Sequence, residues 1–169
     1  MTGHIVQPHA IEWHLAYIGL GANLGETHQT LLHAVEMLGQ REDIRHLELS
    51  AFYRSAPVQS DGPDYVNAVA RFETRLTPYA LLDALQALEN RFGRERPYRN
   101  APRTLDLDIL LFDERIQNDP VLTLPHPRMH ERAFVLRPLK NLAPDMVLAQ
   151  GSLDDLLVIC GDQRISEMR

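Results

Sequence analysis

Residues 104–112 read TLDLDILLF. Alternation puts Leu105, Leu107, Ile109 and Leu111 on one face of an extended segment and Asp106 and Asp108 on the other, the period-two pattern of a strand with one buried side. Carboxylates at i and i+2 of a strand project to the same side roughly 6 to 7 Å apart. The strand therefore carries an acidic face that water or a cation must compensate. Immediately upstream, residues 93–103 have no apolar periodicity and contain two prolines, so they read as an exposed loop. Residues 91–103 (RFGRERPYRNAPR) hold five Arg against one Glu, a local charge of +4 in a chain whose net charge is −6.

Further back, Thr77 suits a helix N-cap and Pro78 the first helical position. Leu81, Leu85, Leu88 and Phe92 line one face, and Gly93 follows as a stop. Residues 65–74 alternate Val66, Ala68, Ala70 and Phe72 against Asn67 and Arg71. Residues 44–53 alternate Leu47, Leu49 and Ala51 against His46, Glu48 and Ser50. Both patterns predict strands. Between them, residues 54–64 (RSAPVQSDGPD) exceed what a hairpin needs and form a candidate functional loop. Residues 14–20 (HLAYIGL) predict a buried strand that runs into a glycine bend, Gly19 to Gly25 (GLGANLG). A helix follows, with Glu26 in its first turn, Leu31, Leu32, Val35 and Leu38 at helical spacing, and Gly39 closing it.

The order β, α, β, β, α, β is the split βαβ arrangement of the ferredoxin-like class: an α+β sandwich with helices on one face of an antiparallel sheet. A C-terminal extension comprises a Pro-rich turn (124–132, LPHPRMHER), the segment 133–142 and a weak helix at 153–160. With 169 residues, 44% hydrophobic and 24% charged, one domain is expected. It spans 14–162, with an N-terminal tail at 1–13 and a C-terminal tail at 163–169. No apolar run is long enough to cross a membrane and the opening residues do not read as a signal peptide, so a cytoplasmic location is expected. Cys160 is the sole cysteine, which excludes zinc fingers and disulfide scaffolds.

The acidic balance argues against nucleic acid as a partner. Of the 17 basic residues all but Lys140 are Arg, whose planar fork grips phosphate bidentately. A Walker P-loop is absent, because no Gly-Lys-Ser/Thr occurs. An acidic pair beside an arginine loop suits a phosphate clamp: hard carboxylate oxygens hold Mg2+, and arginines neutralise the phosphate oxygens the cations leave uncovered. Gly19 and Gly21 read as turn glycines rather than a dinucleotide fingerprint. His126 and His130 stand at i and i+4 without the Glu of a zinc motif; His126 then reads either as a loop hydrogen-bonding residue or as a neighbour of a nucleotide phosphate. Two other readings stay open. A ferredoxin-like binding module without catalysis would satisfy the fold pattern, and a metal-dependent phosphohydrolase could use the same carboxylates with water as acceptor.

Several segments, in order, resemble one family: YIGLGANLG (17–25), FYRSAPV (52–58), DYVNAV (64–69), PRTLDLDILLF (102–112) and LPHPRMHERAFVLRPL (124–139). The family is 6-hydroxymethyl-7,8-dihydropterin pyrophosphokinase of folate biosynthesis, and the resemblance runs from Ala16 to about Pro144. It implies a ferredoxin-like monomer that moves the diphosphate of ATP onto the hydroxymethyl group of the reduced pterin and releases AMP. It also implies two Mg2+ ions held by Asp106 and Asp108, with Arg94 and Arg103 as catalytic-loop arginines. Gln86, Glu89, Arg96, Ile109, Thr123, His126 and Arg132 match positions around ATP. Ser55, Val58, Tyr65, Asn67 and Phe134 match positions around the pterin, the two aromatics flanking its flat ring. The sequence departs from some relatives at Asn100, Val121 and Pro127.

Overall fold

The computed structural model describes residues 12–23, 26–56, 62–93 and 105–168. At its centre β1 (His14–Ala22) pairs antiparallel with β4 (Tyr65–Thr74) on one side and β5 (Asp106–Phe112) on the other. Beyond β4 lie β2 (Ile44–Leu49) and β3 (Tyr53–Ser55), and β3 pairs in turn with β10 (Ile165–Glu167). Every pairing in this six-stranded sheet is antiparallel, and β5 is one of its edges. With its helices the chain is an α+β structure.

Two helices cover one face. Helix α1 (Thr27–Gly39) contributes Leu31, Ala34 and Leu38, and α2 (Pro78–Arg91) contributes Leu81 and Leu85. They pack on Ile18, Leu20, Phe72, Leu107 and Ile109. Full burial of each such leucine stabilises the fold by about 1.5 to 3 kcal/mol. The start of α2 follows the sequence signals: Thr77 Oγ1 accepts from Ala80 N–H at 3.2 Å and Pro78 occupies the first turn. Gly93, at φ +76°, takes the left-handed conformation that a helix stop favours. In α1 the details differ from the sequence reading. Glu26 is the N-cap rather than a first-turn residue, Gly39 is the last helical residue, and Leu32 points off the buried stripe, 42% exposed.

The opposite face is also covered. Helices α3 (Ala133–Leu142) and α4 (Leu153–Ile159) bury Leu136, Leu139, Leu153 and Leu156 against Tyr17, Val69 and Leu110. The expectation of helices on one face thus describes α1 and α2 only. Val69 lies on the side of β4 that the alternation gives to Asn67 and Arg71, and with Tyr17 of β1 it demands a second apolar layer. Between β5 and α3 run a hairpin of β6 (Gln117–Asn118) and β7 (Thr123–Leu124) and a single helical turn at Met129–Glu131. A small ladder of β8 (Val147–Leu148) with β9 (Gly151–Ser152) precedes α4. Among the described residues no helix is long and apolar enough to cross a membrane.

Four strand readings need correction. β1 does not bend at its glycines but runs through Gly19 and Gly21 to Ala22. The strand read at 44–53 is two strands. Ser50 breaks it by using its side chain in the ladder, where Oγ accepts from Val69 N–H at 2.9 Å while Ser50 N–H donates to Val69 O at 2.9 Å. Arg54 and Ser55, read as loop, extend β3. In β5 the register with β1 slips between Tyr17 and Ile18, so that Ile18 faces Ile109 while Tyr17 faces Leu111. This bulge adds one residue and reverses the alternation beyond it. Phe112 rejoins the core under α1 and α2, while Leu110 and Leu111 turn to the α3 side. Leu111 therefore does not share a face with Ile109.

The tail read from residue 163 is also part of the fold. Ile165, Ser166 and Glu167 pair with Ser55, Arg54 and Tyr53, and Met168 N–H donates to Phe52 O at 2.8 Å. A three-residue strand with one apolar member has no periodicity to read, and its partner lies about a hundred residues away in sequence.

Candidate active site

The glycines of β1 make the floor of the principal cavity. Strand pairing sets Gly19 opposite Asp108 and Gly21 opposite Asp106, and on the other side Gly21 opposite Asn67. Both aspartates line one open cavity of about 480 Å3. Because neither glycine carries a side chain, the space beside each acid stays clear. A Cβ built on Gly21 would come within 3.1 Å of Asn67 Oδ1. The two glycines and the two aspartates share the i, i+2 spacing, the one sequence signal that could have placed both pairs on a single site.

Around this floor stand residues from four elements. Asn67 and Tyr65 come from β4 and Ser55 from β3. Arg132 comes from the turn that leads into α3, and Phe134 from the first turn of α3 itself. Asn67 and Ser55 are buried, and Asn67 Nδ2 donates to Ser55 Oγ at 2.7 Å. That bond orients the Asn67 amide at the cavity wall. The Arg132 guanidinium lies 5.5 Å from the centre of the Phe134 ring, within cation–π range. Of the residues expected around the acids and the pterin, Ser55, Tyr65, Asn67, Asp106, Asp108, Arg132 and Phe134 thus border one space.

A second group gathers along the outer edge of β5. Glu89 is buried on α2, and its Oε2 accepts from Leu107 N–H at 3.2 Å. His126 N–H donates to Leu110 O at 2.9 Å. Ile109 lies between these two anchored positions with its side chain in the core, which leaves main-chain groups for any contact with a ligand. Gln86 is exposed one helical turn before Glu89, and Thr123 sits on β7 with its Oγ1 donating to Asn118 Oδ1 at 3.1 Å. These five flank the cavity rather than line it. Arg94, Arg96, Arg103 and Val58 lie outside the described residues, as does Asn100.

Sequence reading missed Arg128, Glu131 and Gln163, all of which line the cavity. Arg128 and Glu131 add charge of both signs at the rim beside Arg132. Nothing in the pattern of residues 124–132 distinguishes a side chain that turns inward from one that faces solvent.

Burial pushes the His126 imidazole below its ordinary 6.5; Asp108 opposes this and the Arg132 and Arg128 charges reinforce it. Its Nδ1 accepts from Arg128 N–H at 3.1 Å, which also requires the neutral ring. The unfolded chain therefore takes up a proton on this histidine at a higher pH than the folded one. Its contribution to stability is full above pH 6.5 and is lost as pH falls towards the folded value. His126→Gln is expected to flatten the fall in melting temperature between pH 7 and pH 5. An unchanged slope in calorimetric scans would remove His126 as its source.

Two carboxylates on one strand face, beside a space large enough for water and phosphate oxygens, form a donor set that fits a hard divalent cation. Among the described residues no cluster of three or more His, Cys, Asp or Glu could hold a metal ion. A cation on this pair would draw its remaining ligands from beyond that set, as Mg2+ does when it shares waters and substrate phosphates.

Comparison with known proteins gives a consistent picture. The family model for 7,8-dihydro-6-hydroxymethylpterin-pyrophosphokinase (HPPK) matches residues 17–144. The 2-amino-4-hydroxy-6-hydroxymethyldihydropteridine pyrophosphokinase of Pseudomonas aeruginosa is 44% identical over 154 residues, covering 90% of this chain and 95% of that protein. Its namesake from Haemophilus influenzae is 46% identical over 144 residues, or 85% and 90%. A solved HPPK-DHPS structure in complex with substrates matches 86% of this chain with a TM-score of 0.68 at 11% identity, a likeness of fold alone; the present chain spans 43% of that one.

Proposed function

This chain belongs to the 7,8-dihydro-6-hydroxymethylpterin-pyrophosphokinase family, and from that premise we propose that it transfers the diphosphate of ATP to the hydroxymethyl group of 6-hydroxymethyl-7,8-dihydropterin. The products are the pterin diphosphate and AMP, a step of folate biosynthesis. The observation that carries this reading is the single cavity in which Asp106 and Asp108 face Ser55, Tyr65, Asn67 and Phe134 across the glycines of β1. Acid pair and aromatic–amide wall are close enough for one end of an acceptor to meet the phosphates held at the other. The strand order of the sheet supports reading the core, β1 α1 β2/β3 β4 α2 β5, as ferredoxin-like.

In this reading Asp106 and Asp108 hold Mg2+, which supplies charge neutralisation for the triphosphate. Asn67, oriented by Ser55, presents a donor and acceptor pair to the edge of the pterin, while Tyr65 and Phe134 contact its faces. Arg132 contributes fixed positive charge at the phosphate end, together with Arg94, Arg96 and Arg103 of the loop. The beginning of β5 is held by Glu89, so the acids keep their place while the substrates come and go. Gln86, Glu89, Ile109, Thr123 and His126 flank the nucleotide along the edge of β5. The protein's part is mainly alignment of the pterin hydroxyl with the β-phosphorus and electrostatic stabilisation as AMP departs.

Incubation with ATP, the reduced pterin and Mg2+ tests the proposal. AMP and pterin diphosphate in equal amounts are the expected products. Free phosphate or diphosphate would indicate a hydrolase, and unconsumed ATP a binding module; either would overturn the reading.

A further inference from the structure

We propose that Gln163, which lies beyond the segment matched by the family model, is a positioning residue for the pterin end of the cavity. Its side-chain amide spans the backbone on both sides of Arg132: Nε2 donates to Glu131 O at 2.7 Å and Oε1 accepts from Ala133 N–H at 2.8 Å. Ala133 begins α3, so this N–H is one of the helix's unsatisfied donors, and no side chain of the N-cap residue takes it up. One planar group thereby fixes the main chain that carries Arg132 and, next along, Phe134.

Two further observations give this bond more than a capping role. Ile165, two residues on, is laddered to Ser55, whose Oγ receives the Asn67 amide. The segment from Gln163 to Ile165 thus ties the α3 side of the cavity to the β3 and β4 side. Phe134 also borders a second cavity of about 160 Å3, lined by Ser55, Ala133, Gln163 and Ile165 among others. Open space on two sides means that packing alone does not hold the ring. Its position depends on the backbone that Gln163 anchors.

The inference rests on the pterin reading of this cavity, and the test separates the two. Pterin binding to the full chain is measured by fluorescence titration for the parent, Gln163→Ala and Gln163→Glu, with kcat, KM and the urea midpoint alongside. Exchange of the Ala133 amide is followed by NMR. Gln163→Ala should weaken pterin binding about tenfold, the scale of one or two hydrogen bonds lost from the backbone around Arg132. KM for pterin should rise in step, kcat should change less than twofold, and Ala133 should lose its protection. Gln163→Glu keeps the acceptor but loses the donor, so its affinity should fall between the two. If the parent fails to bind pterin, the functional reading fails while Ala133 protection still decides whether Gln163 holds the turn. Pterin affinity unchanged in both variants, a loss that only tracks the unfolded fraction, or full Ala133 protection in Gln163→Ala would overturn the proposal.

Discussion

Replacing either Asp106 or Asp108 with Ala is expected to cut Mg2+-dependent AMP release by roughly 10^3-fold or more. A cation clamp on a transferring phosphoryl group contributes several kcal/mol, and each 1.4 kcal/mol is a factor of ten in rate. The two residues share a face of β5 and a cavity, so removal of one leaves a single carboxylate that cannot hold the same charge in place. A readout independent of turnover is available. Mg2+ with a non-hydrolysable ATP analogue should raise the melting temperature of the parent by mass action and that of neither variant. Turnover at the parent's rate in either variant, or an undiminished thermal shift, would remove the acids from the metal-holding role.

Gly21→Val is expected to lower kcat/KM by roughly 10^2-fold, with unfolding still cooperative and the stability loss held to about 1 to 3 kcal/mol. Valine is at home in a strand, so β1 itself has no reason to fail. The added carbons enter the space between Asn67 and Asp106, where a first carbon already lies 3.1 Å from Asn67 Oδ1 and 3.8 Å from the Tyr65 ring. Overpacking of this kind costs about 1 to 3 kcal/mol, and here it falls on the wall that meets the substrate. Gly21→Ala should give an intermediate loss, since the Asn67 amide need give by only a few tenths of an ångström. Steady-state kinetics with both substrates and urea unfolding of the same samples decide the matter. Wild-type kcat/KM in Gly21→Val would show that the cavity floor does not need to be bare.

What the sequence makes legible is local chemistry. Thr77, Pro78 and Gly93 announce both ends of α2 because caps and stops depend on a few adjacent residues. Asp106 and Asp108 announce a shared face because strand periodicity is rigid over three residues. The same rigidity misled the reading of Leu111, where a register slip against Tyr17 reverses the alternation and depends on a strand some ninety residues away. Gly19 and Gly21 look like a turn to local rules; only the pairing of β1 with β4 and β5 reveals them as the floor of a site. Gln163 has no legible signature, because it acts through main-chain groups of Glu131 and Ala133 and almost any amide-bearing residue in sequence looks the same. The resemblance points Ile109 toward the nucleotide, and its buried side chain leaves only main-chain groups for such a contact.

The outermost strand has a bearing on how the protein can be handled. β10 shields one side of β3 with only three residues, and a chain shortened at Asp162 would present β3 to solvent as a bare ladder of donors and acceptors, a template for another copy to join. Glu167 is exposed on that rim, a charge of the kind that discourages such stacking. Shortened preparations should therefore self-associate in light scattering before they lose secondary structure.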